Sequence, residues 1–197
     1  MPPPVSLTRE TILAEALALV RAEGLESLTA RRLAARLGCS VAPLYRTWGS
    51  MDELVRGTFR RILELLEERA SRCSTGMAFR DVGLGRVLFA RDEPRLYRAL
   101  FQESSLSREA RRAFFEQVER SMAEESPLDL LSAGQRRALL EELAAYTHGL
   151  ALLCMEGEVA ELDDEVLNRR IGRVGWAVIR SFLEERRPEA EEKEGAS

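Results

Sequence analysis

Residues 29–54, TARRLAARLGCSVAPLYRTWGSMDEL, restrict the fold of this chain more than any other stretch. Thr29 is placed to cap a short helix, because its side-chain oxygen accepts from backbone N–H groups that lack a helical partner. Leu33, Ala34 and Leu37 give that helix one apolar face, with Arg31, Arg32 and Arg36 pointing elsewhere. Gly38 takes positive φ without a Cβ clash and turns the chain. Ser40 is expected to cap the next helix, with Pro43 in its first turn, where a missing N–H costs little. Leu44 and Trp48, four apart, face inward and leave Val41, Ala42, Tyr45, Arg46 and Thr47 for an outer surface. Gly49 ends the helix, and Ser50-Met51-Asp52-Glu53 fits the S-x-x-E capping box of a third. Two short helices about a glycine turn, followed by a third, are the layout of a helix-turn-helix whose second helix enters the DNA major groove.

Thr11 to Leu54, 44 of 197 residues, resembles the DNA-binding domain of the TetR family of bacterial regulators. The pieces that carry the resemblance are ILAEAL, AEGLESLTARRLAARLGCS and the LYRTW–GSMDEL block. Gly24, Thr29, Leu33-Ala34, Gly38, Ser40, Leu44-Tyr45 and Ser50 to Leu54 fall in register with the family pattern. The DNA-binding set expected from this region is Thr29, Arg31, Arg32, Ser40, Val41, Ala42, Leu44, Tyr45, Arg46 and Thr47. Val41, Ala42 and Leu44 offer small apolar surface for thymine methyls, and Arg46 reads guanine or holds phosphate. Thr29, Arg31, Tyr45 and Thr47 hold phosphates. Several positions depart from the family pattern. Cys39 stands for Val and Trp48 for Phe, both conservative in a core. Thr47 stands for His or Tyr and Met51 for Lys, which removes two common phosphate contacts. Pro43 removes a hydroxyl, while Arg32, where relatives often carry an acid, and Arg46 add charge.

Composition agrees with a globular, all-helical chain. Net charge is −4, yet residues 1–60 hold eight Arg against six acids, and the remainder holds 21 basic against 27 acidic residues. A locally basic end on an acidic body suits a DNA reader whose body stays off the duplex. The apolar run Leu150–Met155 is far shorter than the roughly 20 residues of a membrane helix. No secretory signal is visible, so a cytoplasmic protein without membrane association is expected. Cys39, Cys73 and Cys154 are odd in number and widely spaced, which suggests neither a zinc site nor a disulfide framework. Cys39 beside the second helix reads as a small hydrophobe, with a redox sensor as the rival reading.

Helical spacing runs through the rest: Thr8–Glu23, a helix from Ser50 to about Arg72, Met77–Arg91, one from Pro94 to about Glu103, one from Arg108 to Glu124 capped by Ser107, and Ser132–Glu156. Asp163 is expected to cap a last helix carrying Leu167, Ile171, Val174, Val178 and Phe182. The expected organisation is a three-helix helix-turn-helix DNA-binding domain over 1–50, a helical ligand-binding and dimerisation domain over 51–187, and a charged tail over 188–197. The last two helices read either as an internal hairpin or as half of a four-helix dimer interface, as the TetR resemblance implies. That interface would use Leu143, Leu150, Leu153, Ile171, Val174, Gly175, Val178 and Phe182. A dimer would meet two half-sites roughly 34 Å apart, which short helices need for useful affinity. Tyr146-Thr147-His148-Gly149 and the Glu93–Phe101 segment resemble the W-H-G-type ligand-binding branch of the family. Candidate lining for a small apolar effector is therefore Phe79, Phe89, Tyr97, Phe101, Phe114, Tyr146 and His148, with Phe115 in the same helices.

No catalytic constellation emerges. His148 is the single His, so Ser/His/Asp and Cys/His chemistry has one residue to use, and it lies mid-helix. Asp163, Asp164 and Glu165 stand at a helix start, where they complement the macrodipole. Gly83-Leu84-Gly85 lacks the strand and the third glycine of a dinucleotide loop. No cofactor, metal or enzyme activity is expected. The rival readings are a helix-turn-helix used for protein contact and a dimeric helical enzyme.

Overall fold

A computed structural model describes residues 7–101, 104–158 and 163–185. Among these the chain forms nine α-helices and no strand: α1 (Arg9–Glu23), α2 (Ala30–Arg36), α3 (Ala42–Trp48), α4 (Met51–Ser71), α5 (Ala78–Asp92), α6 (Pro94–Phe101), α7 (Ser105–Met122), α8 (Ala133–Glu156) and α9 (Asp164–Glu185). Side chains cap several of the helix starts. Thr8 Oγ1 accepts from the Thr11 N–H at 3.2 Å, and Ser132 and Gln135 form a reciprocal capping box on α8. Asp163 Oδ1 accepts from the Val166 N–H at 2.7 Å, and so caps α9.

Three caps differ from expectation. Val41, not Ser40, is the residue before α3, and no side chain caps that helix. Val41 already has helical backbone (φ −71, ψ −21), Pro43 has no N–H to offer, and the Leu44 N–H donates to the Val41 carbonyl at 3.1 Å. Helix α7 starts before Ser107, and Ser104 Oγ accepts from the Ser107 N–H at 3.0 Å. At α4 the Ser50 half of the capping box forms, with Oγ accepting from the Glu53 N–H at 3.1 Å, but the Glu53 carboxylate accepts from Arg56. A charged donor within reach on the same face outcompetes the backbone N–H for that carboxylate.

The described residues divide into two compact units. One contains the chain up to Leu66 together with Asp92–Ala113. Its centre is α1, which packs on α2, α3 and α6. Ile12, Leu19, Val20, Leu33, Leu44, Leu54, Phe59, Ile62, Leu96 and Leu100 are fully buried there. Glu93 accepts from Arg21 Nε at 2.9 Å, and Arg95 donates to the Ala22 carbonyl, so α6 is held to the end of α1. Contacts thus carry the N-terminal unit past the expected border at 50, and the expected border at 187 lies outside the described residues. The first turns of α4 and all of α6 pack with the N-terminal helices, because their apolar faces complete the core around α1.

The other unit contains Glu67–Arg91 and the chain from Phe114. Helices α8 and α9 pair, and Leu84, Val87, Leu88, Leu150, Leu167 and Ile171 form one buried cluster. Gly85 of α5 lies so close to Ala70 that a Cβ there would stand 2.6 Å from the Ala70 Cβ. The Glu125 carboxylate accepts from the Ala78 and Phe79 N–H groups and caps α5 from 46 and 47 residues away. Helix α8 is the one described helix long and apolar enough to cross a membrane by length and composition. Its Leu139, Leu140, Leu143 and Leu150 are buried within this unit. The expected tail over 188–197 lies outside the described residues.

Candidate nucleic-acid interface and effector cavity

The helix-turn-helix is built as the sequence spacing requires. Thr29 caps α2, its Oγ1 accepting from the Arg32 N–H at 3.3 Å. Gly38 (φ 65) and Gly49 (φ 77) adopt the left-handed backbone that turns the chain before and after α3. Leu33, Ala34, Leu44 and Trp48 anchor the two short helices in the core. Trp48 is further fixed from above by the Arg9 guanidinium, 4.2 Å from its ring centroid.

That anchoring leaves Ser40, Val41, Ala42, Tyr45 and Arg46 exposed along one side, with Val41 41% and Tyr45 46% exposed. Arg31 and Arg46 have no ion-pair partner among the described residues, whereas Arg32 is paired with Glu23 and Arg36 with Glu15. Thr47 is half-buried. Leu44 requires a correction: at 1% exposure it belongs to the core and has no surface to offer a thymine methyl. The i, i+4 spacing with Trp48 that turns Leu44 inward excludes it from the groove.

In the other unit, α5, α7, α8 and α9 surround a cavity of about 180 Å³. Among the expected residues, Phe79, Phe114 and Tyr146 line it. Phe89, Tyr97, Phe101 and His148 do not, for different reasons. Phe89 is 3% exposed and belongs to the packed interior. Tyr97 and Phe101 belong to the N-terminal unit, where their rings stack at 4.9 Å between centroids. His148 is half-buried on α8 but absent from the wall. Sequence reading missed Arg80, Arg86 and Trp176 in the wall. The signal for the arginines was present: both fall among the apolar positions of α5, where a solvated charge does not belong.

Three expected interface residues, Leu143, Leu150 and Ile171, are buried inside their own unit and so are not available to a partner. Leu143, Ile171 and Gly175 line the cavity. Leu153 is exposed, and Val174, Val178 and Phe182 are half-buried on α9. Leu152 and Trp176 are also exposed. The three cysteines are free thiols, Cys39 being half-buried, and burial pushes the Cys73 and Cys154 thiols above the usual range.

An α2–turn–α3 element with an uncovered second helix, followed by a separate helical unit with a cavity, defines a DNA-binding transcriptional regulator of the helix-turn-helix class. Residues 12–58 match the bacterial regulatory proteins of the tetR family. The chain thus carries a tetR-family DNA-binding domain in its first helices.

The likeness in fold extends over most of the chain. It is similar to a transcriptional regulator from Rhodococcus sp. RHA1, with 18% identity, 88% of this chain and 96% of that chain covered, and a TM-score of 0.66. NalD, the secondary repressor of the MexAB-OprM multidrug efflux pump in Pseudomonas aeruginosa, gives 18% identity, 86% and 94% coverage, and a TM-score of 0.58. A TetR variant from Acinetobacter baumannii AYE, in complex with minocycline, gives 20% identity, 90% and 97% coverage, and a TM-score of 0.52. No curated protein sequence matches the chain.

Proposed function

We propose that this regulator is a ligand-responsive repressor that binds a palindromic operator as a homodimer and is released by a small, largely apolar effector. The observation that carries the reading is the cavity. A folded unit that leaves about 180 Å³ unfilled among Phe79, Phe114, Phe115 and Tyr146 forgoes packing, and an occupant would restore it. Helix α7 supplies a route. It places Phe114, Phe115 and Val118 in the cavity wall, and its residues up to Ala113 belong to the unit that holds the helix-turn-helix. An effector that favours one position of α7 shifts the population of DNA-binding conformations by its differential affinity.

Two relatives in fold lend support, one a repressor and one a protein in complex with minocycline. Leu152, Leu153 and Trp176, uncovered on α8 and α9, support a dimer that would cover them. On DNA, Val41 and Ala42 would meet base edges, Arg46 a guanine or phosphate, and Thr29, Arg31, Tyr45 and Thr47 the backbone.

The test is selection of bound duplexes from a random pool by the purified protein, followed by sequencing. A two-fold symmetric consensus is expected. An absence of enrichment at low salt without ligand removes the operator reading and favours a helix-turn-helix that contacts protein.

A further inference from the structure

The cavity wall is apolar except for two guanidiniums, two hydroxyls and the indole N–H of Trp176, and it contains no Asp or Glu. One Nη of Arg80 donates to the Asn168 carbonyl at 2.8 Å, while its buried Nε has no hydrogen-bond partner. A buried donor without a partner is costly, and the cost is removed when an acceptor arrives. Gly172 of α9 makes room for this group, because a Cβ there would overlap the Arg80 guanidinium. Arg86 is 6% exposed, with its guanidinium 5.8 Å from the centroid of Phe115. Arg80 therefore brings positive charge to a region of low dielectric, where a cationic ligand is repelled and an anion is attracted more strongly than in water.

Size and lining narrow the anion further. A cavity of roughly 150 Å³ accepts a benzene molecule, so about 180 Å³ suits one ring and one small acidic group. The wall aromatics offer ring faces and edges to such a body.

From these observations we infer that the cavity binds a monocyclic aromatic carboxylate, with the ring among the wall aromatics and the carboxylate accepting from Arg80. The inference rests on the reading of this cavity as the effector site. A carboxylate can accept from Nε and a second N–H of one guanidinium at once, which fixes its orientation as well as its charge.

Calorimetric titration of the full-length protein tests this, with benzoate, phenylacetate and 3-phenylpropionate beside their amides, and with hexanoate. At least one aromatic acid is expected to bind about tenfold or more tightly than its amide and than hexanoate. Arg80→Met is expected to bring the acid down to the level of the amide. Gly172→Ala retains the arginine but displaces its flexible end, and is expected to erase the same preference.

Binding of no acid, equal binding of acid and amide, equal binding of hexanoate, or an acid preference that survives both substitutions overturns the inference. A parallel titration of operator DNA separates the two readings. An acid that binds without changing DNA affinity removes the effector reading and leaves the cavity chemistry standing. Release of DNA by an amide and not by its acid does the reverse.

Discussion

Gly57 of α4 faces the indole of Trp48, and a Cβ at position 57 would lie 2.6 Å from both Cζ3 and Cη2 of that ring. Trp48 is the last residue of α3, is 9% exposed and has the Arg9 guanidinium over its ring, 4.2 Å from the centroid. The indole thus lies between the backbone of α4 at Gly57 and the Arg9 guanidinium as near neighbours.

Gly57→Ala is expected to destabilise the N-terminal unit. Overpacking of this kind costs about 1–3 kcal/mol, against about 1 kcal/mol returned by the better helix propensity of Ala. Thermal unfolding should show the loss, and operator affinity should fall with it. The double variant with Trp48→Phe shortens the ring and should recover part of both. A Tm for Gly57→Ala equal to or above that of the unaltered protein would show that the indole yields freely.

Tyr45 and Arg46 are neighbours on the uncovered side of α3, yet their variants should differ in kind. Tyr45→Phe removes one hydroxyl that would contact phosphate, so it weakens operator and random duplex alike, by about 1–3 kcal/mol. Arg46→Ala loses about 1–3 kcal/mol on operator and relaxes base preference at its position. Competition titrations with operator and scrambled duplex separate the two. Equal losses on both duplexes for Arg46→Ala would remove its base-reading role.

Leu44→Ala should behave as a core substitution. The side chain is 1% exposed, and large-to-small changes at such sites cost about 2–5 kcal/mol. Midpoints of urea unfolding should drop, while base preference of the remaining folded protein stays unchanged. A changed thymine preference with unchanged stability would return Leu44 to the groove.

Leu44 also shows where the sequence was legible and where it was not. Caps, glycine turns and i, i+4 spacing are local, so Thr29 and Asp163 mark the starts of α2 and α9. The same spacing already turned Leu44 inward, and adding it to the DNA set conflicted with that rule. Membership of a unit is not local. Tyr97 and Phe101 carry no mark that α6 packs on α1 rather than around the cavity, a choice made by contacts such as Arg21–Glu93, 72 residues apart. Close approaches are equally silent: Gly57 and Gly85 look like weak points in helices until Trp48 and Ala70 are seen against them.

Asp164 at the start of α9 gives the last prediction. Its carboxylate accepts from Arg91 at 2.8 Å and from Arg69 at 3.4 Å, and so ties the ends of α4 and α5 to α9. Burial works to raise its pKa, but the hydrogen bond and charge of Arg91, with those of Arg69, outweigh it and hold the carboxyl below its ordinary value. A carboxyl depressed in the folded state stabilises the fold above its unfolded pKa, near 4, and loses that contribution as pH falls through the lower folded value. Asp164→Asn should therefore lower Tm at pH 7 by an amount that shrinks as pH falls below about 4. The side chain is 59% exposed, so solvent screening limits the effect to about 1 kcal/mol or less. High salt should shrink the difference at pH 7 as well. A difference in Tm that is constant from pH 7 to pH 2.5 would show that the pair with the two arginines contributes nothing and that the loss comes from helix packing alone.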